Sequence, residues 1–167
     1  MGAKEHKSKE YTKLRIGILT LSSTRTLEED KSGNWIKKQS IKEGHEVIFH
    51  NVVIDDAEKI SETVISVINE LNPNVFILTG GTGLSPKDVT IEAITPLFNK
   101  EITAFGPLFA QLSFEEIDSA AILSRATAGI INQTVVFCIP GSLNACKLAC
   151  NEFIFPEIGH IIMHVNE

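Results

Sequence analysis

Residues 74–90 have the sequence NVFILTGGTGLSPKDVT, and this stretch decides the fold. Its first half has apolar side chains at both alternating positions, which is typical of a strand that helices cover on both faces. The apolar run stops at Gly80, Gly81 and Gly83, and Asp88 follows shortly afterwards. The stretch therefore predicts a central strand that ends in a glycine-rich turn ahead of a helix.

Three more segments continue this pattern along the chain. The runs RIGILTLS (15–22) and TVVFCIPG (134–141) are further buried strands, and HEVIFHNVV (45–53) is a fourth strand. Between them, AEKISETVISVINEL (57–71) carries one apolar stripe at helical spacing. A shorter helix is predicted over about 32–43. Alternating strands and helices predict an α/β fold: a three-layer, open, mostly parallel twisted sheet with helices on both faces.

The remaining segments are less regular. Residues 88–98 are predicted to form a helix that Pro96 limits, and Gly44 is predicted to stop the helix before it. No regular element is assigned to 99–133. A helical pattern from Ser142 places Cys146 and Cys150 on one buried face. We expect a flexible N-terminal tail at 1–13 and one domain over 14–167.

Composition excludes several classes of partner. The 167 residues carry a net charge of −6, so no overall positive field attracts nucleic acid or an anionic membrane. The three cysteines lack CxxC spacing, which disfavours a disulfide framework and favours a reducing cytoplasm. The opening MGAKEHKSKEYTK has no apolar core, and no segment is apolar enough to span a membrane.

Polar residues follow each predicted strand at its carboxyl end, where open α/β sheets bind ligands. These residues are small, hydroxylated or acidic, which suits a phosphorylated small molecule that approaches bare backbone. They are Ser22 to Arg25, Asp55 and Asp56, Thr79 to Gly83, and Pro140 to Ser142.

The glycine turn has two interpretations at this stage. Its glycines could supply only the positive φ angles of a tight connection, or they could let a phosphate reach the backbone. The turn has neither the G-x-G-x-x-G spacing of a dinucleotide fold nor the G-K-[ST] ending of a P-loop. As a phosphate loop it would be of another kind, with no dedicated lysine.

The acidic and basic residues also leave alternatives open. Asp55 and Asp56 could cap the helix that follows them, and Asp88 could stabilise the N-terminus of its own helix through the helix dipole. Alternatively, if the two strand ends are adjacent in the sheet, Asp55 and Asp88 converge on one crevice and bind Mg²⁺ beside phosphate oxygens. Arg25 and Arg125 lie among small residues, which favours an anion-binding fork over a surface charge.

Other catalytic and metal signatures are weak. His160 and His164 have helical spacing, but no third ligand is evident in the sequence, so no metal site is expected there. No Ser-His-Asp arrangement or G-x-S-x-G motif is present, so nucleophilic catalysis is not expected.

An ordered set of motifs resembles the MoaB/MogA family of molybdenum cofactor biosynthesis proteins, over about residues 14–157. LSFEEI and SRATAG favour its MoaB branch. The motifs are LTLSSTR (19–25), DKSG (30–33), VIDD (53–56), TGGTGLSPKDVT (79–90), LSFEEI (112–117), LSRATAGI (123–130) and IPGS (139–142).

This resemblance implies a molybdopterin adenylyltransferase that transfers AMP from Mg-ATP to molybdopterin and releases pyrophosphate. It implies Asp55 and Asp88 as catalytic and Mg²⁺-binding residues. It further implies a homotrimer or hexamer and, as a partner, a downstream metal-insertion protein. The substrate-binding residues that it implies are Ser22, Thr24, Arg25, Asp30, Ser32, Gly33, Thr79, Gly80, Gly81, Thr82, Gly83, Ser124, Arg125, Pro140, Gly141 and Ser142.

The segment TAFGPLFA (103–110) departs from the family pattern. Relatives commonly have P-G-F-G-E-x-x-R here, whereas this chain has Pro107 and Ala110 at the glutamate and arginine positions. Two other functions therefore stay open: a protein that binds molybdopterin or a nucleotide without turnover, and an enzyme for another nucleotide-like substrate. Phe105, Leu108, Phe109 and Leu112 are expected to line a subunit contact.

Overall fold

The computed structural model describes residues 13–167, so the expected tail lies, apart from Lys13, outside the described residues. Within 13–167, six strands form one sheet. They are β1 (Arg15–Leu21), β2 (Glu46–Val53), β3 (Val75–Thr79), β4 (Lys100–Glu101), β5 (Thr127–Ile131) and β6 (Thr134–Ile139). Their order across the sheet is β2-β1-β3-β6-β5-β4. The four predicted strands are all present.

The sheet is mostly parallel, as predicted. Strands β2, β1, β3 and β6 pair in parallel, and β5 pairs antiparallel with both β6 and β4. Sequence analysis missed β5 because TAGII is short and contains Ala128 and Gly129, which have little preference for strands. The antiparallel edge therefore emerges only in the structure.

Helices cover both faces of the sheet. They are α1 (Lys31–Lys42), α2 (Ala57–Leu71), α3 (Thr90–Ile94), α4 (Phe105–Ile117), α5 (Leu143–Ala149) and α6 (Phe155–Val165). The predicted helix at 88–98 is shorter than expected, since a 3₁₀ turn at Thr95–Leu97 holds Pro96, which has no N–H to continue an α-helix. A π-helical turn, Cys150–Ile154, joins α5 to α6.

Helix α4 lies in the segment to which the sequence pattern assigned no regular element. Gly106 and Pro107 occupy its first turn, where proline is tolerated although both residue types normally indicate a turn. Gly44 has a φ of 92°, which is the left-handed conformation predicted for the residue that follows α1.

Alternate residues of β3 pack into two separate cores. Val75 and Ile77 belong to the core beneath α1, α4, α5 and α6, whereas Phe76 and Leu78 belong to the core beneath α2 and α3. The three-layer prediction is therefore confirmed. Among residues 13–167, no helix has the length and apolar character needed to cross a bilayer.

Candidate functional site

An open cleft of about 480 Å³ lies at the carboxyl ends of the parallel strands. It brings together segments that follow β1, β2, β3 and β6 with one that precedes β5. Its lining comprises Leu21 to Arg25, Asp55, Gly80 to Gly83, Lys87, Asp88, Leu123 to Arg125, Pro140 and Gly141. Most of the residues that the sequence placed in the site therefore share one cavity.

The glycine turn forms one wall of this cleft. Gly80 and Gly81 have φ angles of 102° and 64°, which side chains rarely adopt. A Cβ atom on Gly80 would overlap the carbonyl oxygen of Leu21, and one on Gly81 would overlap the hydroxyl of Thr90. The first interpretation of the turn, positive φ angles in a tight connection, therefore accounts for these two glycines.

The same turn also has backbone N–H groups that find no acceptor among residues 13–167. The amide groups of Gly81, Thr82 and Gly83 donate no hydrogen bond to any atom of residues 13–167. The buried hydroxyl of Thr90 holds the turn from behind by donating to the carbonyl oxygen of Gly80 at 2.8 Å. Successive free N–H groups in a turn are typical of a phosphate-binding backbone.

Arg125 is directed towards the turn. Its Nε donates to the carbonyl oxygen of Thr82 at 2.8 Å, and its Nη2 donates to that of Gly83 at 2.8 Å. Its Nη1 pairs with Glu92, and this hydrogen bond from Arg125 lowers the pKa of the Glu92 carboxyl. The sequence favoured an anion fork at Arg125, but most of its donors already bind protein oxygens, and Glu92 was not anticipated.

The two aspartates reach the cleft from strands that are not neighbours, because β1 lies between β2 and β3. Asp55 Oδ2 accepts a hydrogen bond from Ser23 Oγ at 2.9 Å, and Asp88 Oδ2 accepts one from the backbone N–H of Ser85 at 2.9 Å. Asp56 caps α2 by accepting from the backbone N–H of Lys59. Asp55 is thus left for another role.

Asp55 and Asp88 each have a carboxylate oxygen of the kind that Mg²⁺ prefers as a ligand. Within residues 13–167 the Oδ1 atom of each accepts no hydrogen bond, so each has an oxygen to offer. No group of three or more His, Cys, Asp or Glu side chains in that range is placed to hold a metal. Mg²⁺ does not need one, since it usually binds one or two carboxylates, substrate phosphates and water.

Two cations also line the cleft. Arg25 and Lys87 are exposed, and neither side chain forms a hydrogen bond or ion pair with any residue from 13 to 167. Free guanidinium and ammonium groups are suited to bind phosphate oxygens. Sequence analysis did not select Lys87. Its position directly before Asp88, in a loop that forms the cleft, is the signal that could have identified it as a cation of the site.

Five residues assigned to the site by resemblance do not line the cleft: Asp30, Ser32, Gly33, Thr79 and Ser142. Asp30 is fully buried and caps α1. Its carboxylate accepts hydrogen bonds from Thr20 Oγ1 at 2.6 Å, from the backbone N–H of Gly33 at 2.9 Å and from His50 Nε2 at 3.2 Å. Burial opposes ionisation, but hydrogen bonds from His50, Thr20 and Gly33 outweigh it and lower the pKa of Asp30.

Three other members of this group lie at the turn after β6. Ser32 Oγ donates to the carbonyl oxygen of Gly141 at 2.9 Å, and Thr79 Oγ1 donates to that of Pro140 at 3.0 Å. The Ser142 hydroxyl caps α5 by accepting from the backbone N–H of Ala145. These side chains hold the wall of the cleft from behind.

The chain is similar to known proteins over nearly its whole length. Residues 17–160 match the family described as "Probable molybdopterin binding domain". Molybdenum cofactor biosynthesis protein B of Bacillus subtilis (strain 168) is 42% identical over 168 residues, covering 100% of this chain and 99% of the relative. A crystal structure of a molybdenum cofactor biosynthesis protein B has a TM-score of 0.89 at 43% identity, covering 92% of this chain and 96% of that one.

A second solved structure, the tungsten cofactor synthesizing protein MoaB from Pyrococcus furiosus, has a TM-score of 0.82 at 38% identity. That match covers 94% of this chain and 99% of the other. Fold, motifs and near-complete coverage agree, and the chain belongs to the MoaB/MogA family of molybdenum cofactor biosynthesis proteins.

Proposed function

We propose that this protein acts in molybdenum cofactor biosynthesis by adenylylating molybdopterin at the expense of Mg-ATP. The observation that carries the proposal is the cleft itself, in which a bare backbone turn, two carboxylates and two free cations face one space. In the proposed reaction, a terminal phosphate oxygen of molybdopterin attacks the α-phosphorus of ATP. The bond from that phosphorus to the leaving pyrophosphate breaks, and adenylyl-molybdopterin is the product.

Positioning and charge neutralisation carry most of the rate enhancement in such a transfer. The free N–H groups of Gly81, Thr82 and Gly83 are suited to bind phosphate oxygens of one substrate. Arg25 and Lys87 stand on separate loops, so they can neutralise phosphates of both substrates. Their charges draw two anionic phosphate groups together, which would otherwise repel each other.

Asp55 and Asp88 are the residues that would hold Mg²⁺. The ion, when bound, supplies positive charge beside the phosphate oxygens. The hydrogen bonds from Ser23 and from the backbone N–H of Ser85 orient the two carboxylates, so that the free oxygen of each remains available.

The departures at Pro107 and Ala110 give no structural reason to prefer binding without turnover. Both residues lie on α4, and neither contributes to the lining of the cleft. The cleft of one chain therefore loses no contact through these substitutions.

We also propose that the chain forms a homotrimer or hexamer. The expected contact residues Phe105 and Phe109 are buried in the chain's own core, so they cannot line an interface. Leu108 is exposed, and Phe114, Ile117 and Ile122 are further exposed apolar side chains on α4 and in the segment after it. Exposed large apolar side chains are often covered by subunit contacts, and the sedimentation coefficient of the purified chain tests the assembly.

The reaction is tested by measuring pyrophosphate release from ATP with purified protein, Mg²⁺ and molybdopterin. Asp55→Asn and Asp88→Asn remove a negative charge with little change in shape, and each is expected to lower turnover by about a hundredfold. Asp56→Asn is the matched control, because asparagine caps a helix as well as aspartate does. Unchanged turnover in both cleft variants contradicts the metal site, and molybdopterin binding without pyrophosphate release identifies a binding protein.

A further inference from the structure

A buried group of polar side chains lies behind the cleft, where β1, β2 and the start of α1 meet. At its centre is the carboxylate of Asp30, which is fully buried. Its outer member is His50 of β2, the edge strand of the sheet, and the side chain of His50 is only 7% exposed. Neither residue lines the cleft, and the proposed reaction does not use His50.

The partner of His50 determines which ring atom carries the proton. Although burial opposes ionisation, hydrogen bonds outweigh it and lower the pKa of the Asp30 carboxyl, so this group is ionised near neutral pH and only accepts hydrogen bonds. His50 Nε2, at 3.2 Å from Asp30 Oδ2, is therefore the donor. Thr20 donates to the same oxygen, and the backbone N–H of Gly33 donates to the other. Loss of His50 would leave a buried charge with two donors instead of three, which costs free energy.

Two parts of the cleft wall meet at Asp30. The loop after β1, residues 22–30, carries Arg25 into the cleft and ends at Asp30, which caps α1. In the first turn of α1, Ser32 Oγ donates to the carbonyl oxygen of Gly141 at 2.9 Å, and Gly141 lines the cleft. The position of the helix start therefore sets the position of both parts.

The first turn of α1 packs tightly against the carboxylate and the imidazole. A Cβ atom added to Gly33 would overlap Asp30 Oδ2 and would lie 2.7 Å from His50 Nε2. The helix backbone thus rests directly on this pair. A carboxylate that moves to find another donor will displace the helix start with it.

We propose that His50 is a positioning residue for the cleft: by holding Asp30, it fixes the start of α1 and with it the loop of Arg25 and the turn at Gly141. The part that this loop and this turn play in catalysis rests on the proposed function. The side chain of His50 forms no other hydrogen bond with residues 13–167, so its effect on the cleft passes through the Asp30 carboxylate.

The first measurement is pyrophosphate release by the full chain. His50→Phe keeps a ring but has no donor, and it is expected to lower kcat/KM by about tenfold. Glutamine can place an N–H group near the position of Nε2, so His50→Gln is expected to recover most of that loss. His45→Phe is the matched control and should leave kcat/KM unchanged, because His45 lies at the opposite end of β2, where its Nδ1 accepts from the backbone N–H of Leu14.

The second measurement needs no substrate, so it separates the role of His50 from the proposed function. Hydrogen–deuterium exchange of residues 22–34 is expected to be at least about tenfold faster in His50→Phe than in the wild type, with the exchange of α2 unchanged. If the wild-type chain releases no pyrophosphate, the proposed function fails and the exchange comparison still decides the role of His50. Equal exchange at 22–34, an equal increase in α2, or a His50→Gln variant as impaired as His50→Phe overturns the proposal.

Discussion

Arg125 Nη2 lies 2.8 Å from the carbonyl oxygen of Gly83, and this hydrogen bond links the turn after β3 to the segment before β5. Arg125 also donates to Thr82 and pairs with Glu92, so one side chain fixes the turn on two sides. Arg125 lines the cleft, but its donors bind oxygen atoms of the protein. We therefore infer that it positions the phosphate-binding turn.

Replacement of Arg125 by lysine tests this role. Lysine keeps the charge but cannot reach two carbonyls and a carboxylate at once. Because a hydrogen bond from a charged group is worth about 1.5–3 kcal/mol, we expect Arg125→Lys to lower kcat/KM by about tenfold or more. Arg15→Lys is the matched control, since Arg15 donates to the carbonyl oxygen of Asn72 at the opposite end of the sheet. An equal loss in both variants, measured by pyrophosphate release, contradicts the positioning role.

Lys87 is expected to bind a phosphate directly. Lys87→Gln removes a free ammonium group from the cleft and should raise the KM for ATP by about tenfold, since one charge-assisted contact is lost. The difference between variant and wild type should shrink at high salt, because salt screens charges on an open surface. Lys59→Gln, on an exposed position of α2, is the control and should leave the KM unchanged. A KM that is equal in all three proteins rules out the contact.

The buried carboxylate of Asp30 is expected to make the free energy of unfolding depend on pH. Its pKa is lower in the folded protein than the ordinary value of 3.8, so the unfolded chain takes up the proton first as the pH falls. The contribution of Asp30 is therefore complete above that value and is lost as the pH falls through the folded pKa. Asp30→Asn should cost about 1–3 kcal/mol of unfolding free energy near neutral pH and less in acid.

Fluorescence of the single tryptophan, Trp35 on α1, reports this change in urea titrations at about pH 7 and about pH 3. Thr20→Val is a useful companion, because it removes one donor to the carboxylate without touching the carboxylate itself. If the loss from Asp30→Asn is the same at both pH values, the carboxylate is not the source of the acid dependence.

Replacement by alanine is expected to affect stability at Gly80 and turnover at Gly83. Gly80 has a positive φ, and an added Cβ would meet the backbone of β1, so Gly80→Ala should lower the free energy of unfolding by more than about 1 kcal/mol. An added Cβ on Gly83 would instead lie 2.7 Å from Asp88 Oδ2. Gly83→Ala should therefore impair turnover more than stability. Thermal unfolding and pyrophosphate release, measured on both variants, distinguish the two effects.

Several elements were predictable from the sequence because their signals are local. The apolar runs of β1, β3 and β6 are buried on both faces, and the stripe of α2 places Ile60, Val64 and Ile68 in the core. The irregular edge was not predictable, because β5 is stabilised by pairing with β6 and has little preference of its own.

The location of the site in the fold was predictable from the sequence, whereas its individual side-chain contacts were not. By itself, the sequence determined that glycines, hydroxyls and carboxylates follow the strands, and parallel pairing brings these ends to one edge of the sheet. Only the tertiary structure decided which side chains face the cleft. Ser32 reaches Gly141 and Arg125 reaches Gly83, and both partners are distant along the chain. A side chain's direction depends on the nearest available partner in space, which no local pattern of residues specifies.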